Sequence, residues 1–165
     1  MTKPLILVSN DDGITSKGIR RLVEIAKKIG EVVVLAPDSP QSGMGHAITV
    51  GDTLRLRKSD IFGDVQAHEC SGTPADCVKL AKHYVLKGRE IDLIVSGINH
   101  GSNSSISVLY SGTMSAAIEG AIEGCPSIGF SLCDYDPNAK MNHTDGYVEK
   151  IIKEALKNGI QKGIA

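Results

Sequence analysis

Two adjacent carboxylates, Asp11 and Asp12, directly follow a short apolar run near the start of the chain. At a separation of about 4 Å and an effective dielectric near 20, their mutual repulsion is roughly 4 kcal/mol. A divalent cation between them removes that repulsion, and carboxylate oxygens are ligands that Mg²⁺ and Mn²⁺ accept. The pair therefore indicates a metal site. One Asp capping the next helix, with the other in solvent, is the plain alternative.

Three further polar segments could complete such a site. The loop after the second apolar run carries hydroxyls that could supply a neutral oxygen ligand, and His46, which could bind phosphate or act as an acid. A Gly- and Asn-rich segment after a later run places Asn99 where its oxygen could meet a metal or its amide a phosphate. Ser111-Gly112-Thr113 opens a predicted helix, whose unpaired N–H groups form an anion site. A surface loop, a structural histidine and an ordinary helix cap are the respective alternatives.

A carboxylate pair, neutral oxygen ligands and an anion-binding helix start together indicate metal-assisted phosphoryl hydrolysis. This interpretation requires the segments to meet at one edge of the fold. Four short, uninterrupted apolar runs, at 5–8, 32–36, 91–95 and 127–132, are typical of parallel strands covered on both faces. In such sheets, ligands bind beyond the carboxyl ends of the strands.

Four segments with a helical apolar stripe alternate with these runs, at 19–26, 77–85, 114–122 and 148–156. The second has a clear start, with Thr73 as N-cap, Pro74 next and Asp76 in the first turn; Gly88 lies just past its end. In residues 47–57 and 65–70, apolar and polar residues alternate instead, which predicts an antiparallel ribbon or edge extension. The fold class is therefore α/β: a Rossmann-like, doubly wound, mainly parallel sheet flanked by helices, with an antiparallel ribbon extension.

Composition excludes several classes of function. The chain has 165 residues, enough for one domain, and a formal charge of −1, so it lacks the electrostatic footprint of a nucleic-acid or membrane-surface protein. Its first apolar run is too short for a signal peptide or a membrane span, which predicts a cytoplasmic protein. The four cysteines form no Cys-x-x-Cys motif and are expected to be free, mostly buried thiols rather than zinc ligands.

Several long motifs, in order along nearly the whole chain, resemble the SurE family of survival nucleotidases. They lie at residues 6–14, 36–46, 72–78, 92–99 and 110–120. The resemblance implies a metal-dependent nucleotidase that hydrolyses nucleoside 5′- and 3′-monophosphates and short polyphosphate, with a metal-activated water as the nucleophile. It also implies one SurE-like nucleotidase domain over residues 1–165 without the family's C-terminal oligomerisation segment, and a homodimer or homotetramer for the full-length protein.

The family's functional residues carry over to matching positions. The resemblance implies one divalent ion per subunit, Mg²⁺ or Mn²⁺, bound by Asp11, Asp12, Ser42 and Asn99. Asn10 and the Ser111-Gly112-Thr113 turn match the phosphate-side residues. We therefore expect Asp11, Asn10, Ser111 and Thr113 to be catalytic, and we expect the substrate to contact Asn10, His46, Asn99 and the Ser111-Gly112-Thr113 turn.

Other classes of protein fit the sequence less well. A non-catalytic Mg²⁺-binding phospho-receiver or signalling domain also has paired acids after its first strand. Such a domain also needs a phosphoacceptor Asp after the third core strand and a Lys after the last one. Residues 96–99 of this chain contain no Asp, and residues 131–133 contain no Lys. A phosphatase with Asp11 as covalent nucleophile, of the haloacid-dehalogenase type, has Asp-x-Asp rather than Asp-Asp-Gly. A dinucleotide-binding domain needs Gly-x-Gly-x-x-Gly after the first strand.

Overall fold

A six-stranded sheet lies between two layers of helices in the computed structural model, which describes residues 3–136 and 138–165. The strand order is β3-β4-β2-β1-β5-β6, with β3 antiparallel to β4 and the other neighbours parallel. The predicted doubly wound α/β class is confirmed. The strands are β1 Leu5–Ser9, β2 Glu31–Pro37, β3 Leu56–Ser59, β4 Gln66–Cys70, β5 Leu93–His100 and β6 Ser127–Leu132.

The helices divide between the two faces of the sheet. They are α1 Lys17–Ala26, α2 Pro74–Leu80, α3 Gly112–Ile122 and α4 Asp145–Asn158, with a π-helical turn at Ala81–Val85 and 3₁₀ turns at Ser105–Tyr110 and Asn142–Thr144. Helices α1 and α4 pack together on one face, and α2 and α3 on the other, each pair over its own buried apolar cluster. None of the helices in the described residues is long and apolar enough to cross a membrane.

The start of α2 follows from its local sequence. The Thr73 hydroxyl accepts a hydrogen bond from the Asp76 N–H at 3.2 Å, and the Asp76 carboxylate accepts one from the Thr73 N–H at 2.9 Å. This reciprocal pair satisfies two N–H groups at the helix start. Beyond the π-helical turn, Gly88 has a φ of +83°, as expected of a residue just past a helix end.

The predicted antiparallel ribbon is present, because β3 pairs antiparallel with β4, but its first strand begins later than expected. Residues 47–55 form no strand, and Ile48 and Val50 are 50% and 80% exposed. Side-chain hydrogen bonds hold this segment instead: the Thr49 hydroxyl donates to Asp76 at 2.6 Å, and the Thr73 hydroxyl donates to the Ala47 carbonyl at 2.7 Å. The alternation therefore reflects a tethered loop, while β4 joins the parallel sheet beside β2.

Helix α3 buries a different face from the one that its apolar stripe predicts. The fully buried positions are mostly small or polar, including Thr113, Ala116 and Gly120, whereas Ile122 is exposed. Helix α3 lies directly against β5 and β6. Small side chains allow this close packing. Of the predicted stripe, Ala117 is buried, Met114 and Ile118 are half-buried, and Ile122 alone is exposed.

Candidate active site

The carboxyl ends of β1, β2 and β5 meet at a cleft of about 270 Å³. Strand order reverses here, because the chain passes from β1 to β2 on one side and later returns to β5 on the other side of β1. Such a point is where open α/β sheets bind ligands. The structure brings the four predicted metal ligands together in this lining: Asp11, Asp12, Ser42 and Asn99, with Tyr110 and Ser111 at the same cleft.

Asp11 is held rigidly at the base of the cleft, with 4% of its surface exposed. Burial raises the pKa of its carboxyl, and a 2.5 Å hydrogen bond from the Thr113 hydroxyl to Oδ1 opposes that rise. The Thr113 backbone N–H acts in the same direction. The Gln41 N–H donates to the Asp11 carbonyl at 2.7 Å. These contacts tie the β1 carboxylate to the start of α3 and to the loop after β2.

Asp12 is more open but electrostatically linked to its neighbour. Burial raises the pKa of its carboxyl, the charge of Asp11 raises it further, and His100 lowers it. Two carboxylates whose pKa values are both raised gain most from a cation that stabilises their charged forms.

The donor set fits a hard divalent ion. No group of three or more His, Cys, Asp or Glu residues suited to a metal occurs in the part of the chain that the structure describes. An ion here would therefore be bound by two carboxylates and neutral oxygens, which suits Mg²⁺ or Mn²⁺ better than zinc. The buried Asn10 Oδ1 has no hydrogen-bond partner within that part of the chain, while its Nδ2 donates to the Gly13 carbonyl at 3.0 Å.

A bulge in β5 brings Asn99 to the cleft. The pairing of β5 with β6 shifts between Ser96 and Asn99, as bulges beside functional sites commonly do. Gly97 has a φ of +126°, and a Cβ there would lie 2.4 Å from the Phe130 carbonyl oxygen, so glycine is required. The Asn99 Nδ2 donates to the His100 and Gly101 carbonyls at 2.9 and 3.1 Å. With its nitrogen used in this way, Asn99 offers its side-chain oxygen, the atom that a metal accepts.

The Ser111-Gly112-Thr113 turn has two separate tasks. Ser111 is the N-cap of α3: its hydroxyl oxygen accepts a hydrogen bond from the Met114 N–H at 3.0 Å. Thr113 is fully buried and bonds to Asp11, so it lies out of reach of a ligand in the cleft. Only Ser111 of this turn lines the cleft, with the Gly112 N–H beside it at the first helical position.

His46 is engaged elsewhere. Its Nε2 lies 2.7 Å from Oε2 of Glu119, a buried carboxylate on α3, and His46 is not among the residues that line the cleft. Sequence reasoning passed over Glu119, because a lone charged residue in a predicted helix is ordinarily exposed to solvent and gives no signal of a buried contact. It also passed over His100 and Tyr110 as site residues, although both are direct neighbours of residues that it selected.

The fold and the cleft define a Rossmann-like α/β protein with an acidic, oxygen-rich ligand site at its topological switch point. The family model described as "Survival protein SurE" matches residues 6–164, and the chain belongs to the SurE family.

Relatives with curated names support this placement. The chain is 71% identical to a protein of Cytophaga hutchinsonii and 60% identical to one of Christiangramia forsetii, each named "5'-nucleotidase SurE". The matches cover 99% and 98% of this chain and 63% of each relative. In structure it resembles the SurE protein from Aquifex aeolicus, with a TM-score of 0.87 and 42% identity over 96% of this chain and 62% of that one. The chain thus spans under two thirds of the proteins that it matches.

Proposed function

We propose that this protein is a divalent-metal-dependent phosphomonoesterase that hydrolyses nucleoside 5′- and 3′-monophosphates to nucleoside and phosphate, and also hydrolyses short polyphosphate. The observation that carries the proposal is the meeting of two acidic side chains, the Asn99 amide and the first turn of α3 in one cleft. The names of the SurE relatives support nucleotides as the substrate class.

One Mg²⁺ or Mn²⁺ per subunit is the cofactor in this proposal. Its ligands would be Asp11, Asp12, Ser42 and Asn99. When bound there, the ion would supply charge neutralisation for the phosphate and lower the pKa of the attacking water.

The chain's own groups would orient the phosphate and stabilise its charge. Ser111 lines the cleft at the positive end of α3, where anions are favoured, and the Gly112 N–H lies beside it at the first helical position. Asn10 would act from behind Asp11, since its side chain is buried and braces the loop through Ser16 at 2.9 Å. Thr113 would hold Asp11 in the orientation that this chemistry requires.

The nucleoside would lie over the outer wall of the cleft. Tyr110 is 63% exposed there, and Ile106 and Leu109 of the same 3₁₀ turn are also exposed. An exposed aromatic ring next to a phosphate site provides a surface on which a base can stack, worth about 1–3 kcal/mol. This wall distinguishes a nucleotide from inorganic phosphate or a sugar phosphate.

The proposal extends to assembly and location. We propose a cytoplasmic homodimer or homotetramer whose partners are small-molecule nucleotides, and not nucleic-acid polymers or membranes.

The test is phosphate release from a panel of nucleoside 5′- and 3′-monophosphates and tripolyphosphate, with Mg²⁺, with Mn²⁺ and with EDTA. We expect metal-dependent release that falls at least about 100-fold in Asp11→Asn and Asp12→Asn, since each removes charge that the ion needs. Asp52→Asn makes the same change at an exposed position and should retain activity.

Release that persists in EDTA, or in Asp11→Asn, would contradict a metal-dependent mechanism. The receiver alternative would instead give a stable phosphoprotein with a small phosphodonor and no catalytic release.

A further inference from the structure

A buried carboxylate of α3 contacts the loop that carries Ser42. Glu119 is 4% exposed, and its two oxygens lie 2.7 Å from His46 Nε2 and 2.7 Å from Lys79 Nζ. We propose that His46 and Glu119 form a positioning pair, which holds the loop of residues 38–55 against α3 and so fixes Ser42 beside Asp11 and Asp12. The inference rests on the proposed function for the role of Ser42.

The pair provides a strong tether because of where its carboxylate lies. A buried carboxylate is stable only when it is paired and hydrogen-bonded, so the loss of one partner is costly. Lys79 comes from α2 and is bonded to Glu123 as well. His46 is therefore the partner through which Glu119 acts on the loop.

Backbone hydrogen bonds hold the Ser42 turn on both sides. The Gln41 N–H donates to the Asp11 carbonyl at 2.7 Å, and the Gly45 N–H donates to the Tyr110 carbonyl at 3.2 Å. The three residues between them, including Ser42, are exposed. His46 follows this turn immediately, and its bond to Glu119 is the contact that joins the end of the turn to α3. The next residue, Ala47, is bonded through its carbonyl to Thr73 instead.

One helix thereby fixes two parts of the site. The first turn of α3 bonds to Asp11 through Thr113, and Glu119, about two turns later, bonds to the Ser42 loop. Because both contacts come from one rigid helix, the Asp11 carboxylate and the Ser42 hydroxyl keep a constant separation. Breaking the His46 contact should release the loop while Asp11 stays in place, so we expect weaker metal binding with little change in kcat at saturating metal.

Amide hydrogen exchange on the metal-free protein tests the tether directly. In His46→Ala, exchange at Gln41 and Gly45 should accelerate about tenfold, the effect expected from losing a hydrogen bond to a charged group. His46→Gln keeps a side-chain N–H donor and should restore most of the protection. His83→Ala is the matched control, because His83 Nε2 lies 2.8 Å from Glu123 in the same network and has no bond to the loop.

Calorimetric titration with Mn²⁺ gives the second readout. We expect about tenfold weaker binding in His46→Ala, near-normal binding in His46→Gln and normal binding in His83→Ala. Unchanged exchange at Gln41 and Gly45 in His46→Ala would overturn the inference, as would an equal acceleration across the whole sheet, which indicates global destabilisation. The exchange result is independent of catalysis. If the wild-type protein released no phosphate, the proposed nucleotidase function would be wrong, and hydrogen exchange would still test whether His46 and Glu119 hold the loop.

Discussion

Gly112 is the position at which a single methyl group should separate activity from stability. A Cβ added there would lie 2.5 Å from Asp11 Cβ and 3.0 Å from Asp11 Oδ2. Ordinary contacts to a Cβ begin near 3.4 Å. In Gly112→Ala, therefore, Asp11 and the first turn of α3 must separate by about 1 Å, a displacement that can reduce catalysis about 100-fold.

The expected change in stability is much smaller. Crowding of this kind costs about 1–3 kcal/mol, and replacing glycine by alanine at a helical position returns up to about 1 kcal/mol. The free energy of unfolding should therefore fall by only about 0–3 kcal/mol. The protein stays folded at 25 °C while its site is distorted.

Gly146→Ala is the matched control for this experiment. Gly146 is in the first turn of α4, and a Cβ there meets no atom within 4 Å. The same substitution should raise stability by about 0.5–1 kcal/mol and leave activity unchanged. The assays are urea unfolding and kcat/KM for a nucleoside 5′-monophosphate with Mn²⁺. If Gly112→Ala hydrolysed the substrate within threefold of the wild-type rate, the proposed role of the Asp11 position would be wrong.

Three further predictions concern single side chains. Thr113→Val removes a hydrogen bond that lowers the pKa of Asp11, so that pKa should rise and the acidic limb of the pH–rate profile should move to higher pH; an unchanged profile would contradict the positioning role. Tyr110→Ala should raise KM for nucleotides about tenfold, as the loss of base stacking predicts, and leave hydrolysis of tripolyphosphate unaffected; equal losses on both substrates would argue against stacking. Burial raises the pKa of Glu123, but hydrogen bonds from Lys79 and His83 outweigh it and lower the pKa to about 2. Glu123 therefore stabilises the fold above about pH 4.5 and loses that contribution as the pH falls through about 2, so Glu123→Gln should reduce unfolding free energy by about 1–3 kcal/mol at pH 7 and by under about 0.5 kcal/mol at pH 2; chemical denaturation at both pH values measures this.

The sequence predicted most of the elements because their signals are short-range. The uninterrupted run at 127–132 corresponds to β6, and Thr73, Pro74 and Asp76 mark the start of α2 through bonds between residues three positions apart. Three cysteines are buried free thiols, as expected, and Cys133 is exposed. The convergence of Asp11, Asp12, Ser42 and Asn99 also follows from local reasoning, because residues after parallel strands must lie at one edge of the sheet.

Features that depend on contacts between distant parts of the chain were out of reach of such reasoning. The alternation in 47–55 is typical of a strand, but the Asp76 side chain bonds to Thr49 and the segment remains a loop. The apolar stripe of α3 is only partly buried, since the close approach of the helix to β5 and β6 favours small side chains.

The sequence by itself determined the class of fold, the order of most of its elements and the convergence of Asp11, Asp12 and Asn99 at the cleft. The tertiary structure alone decided what those side chains do there. Thr113 bonds to Asp11, 102 positions away in the sequence, and His46 bonds to Glu119, 73 positions away. Ser111 and Tyr110 line the cleft instead. The physical reason is that periodicity and capping act within a few residues, whereas the partner of a buried polar group depends on which element happens to pack against it.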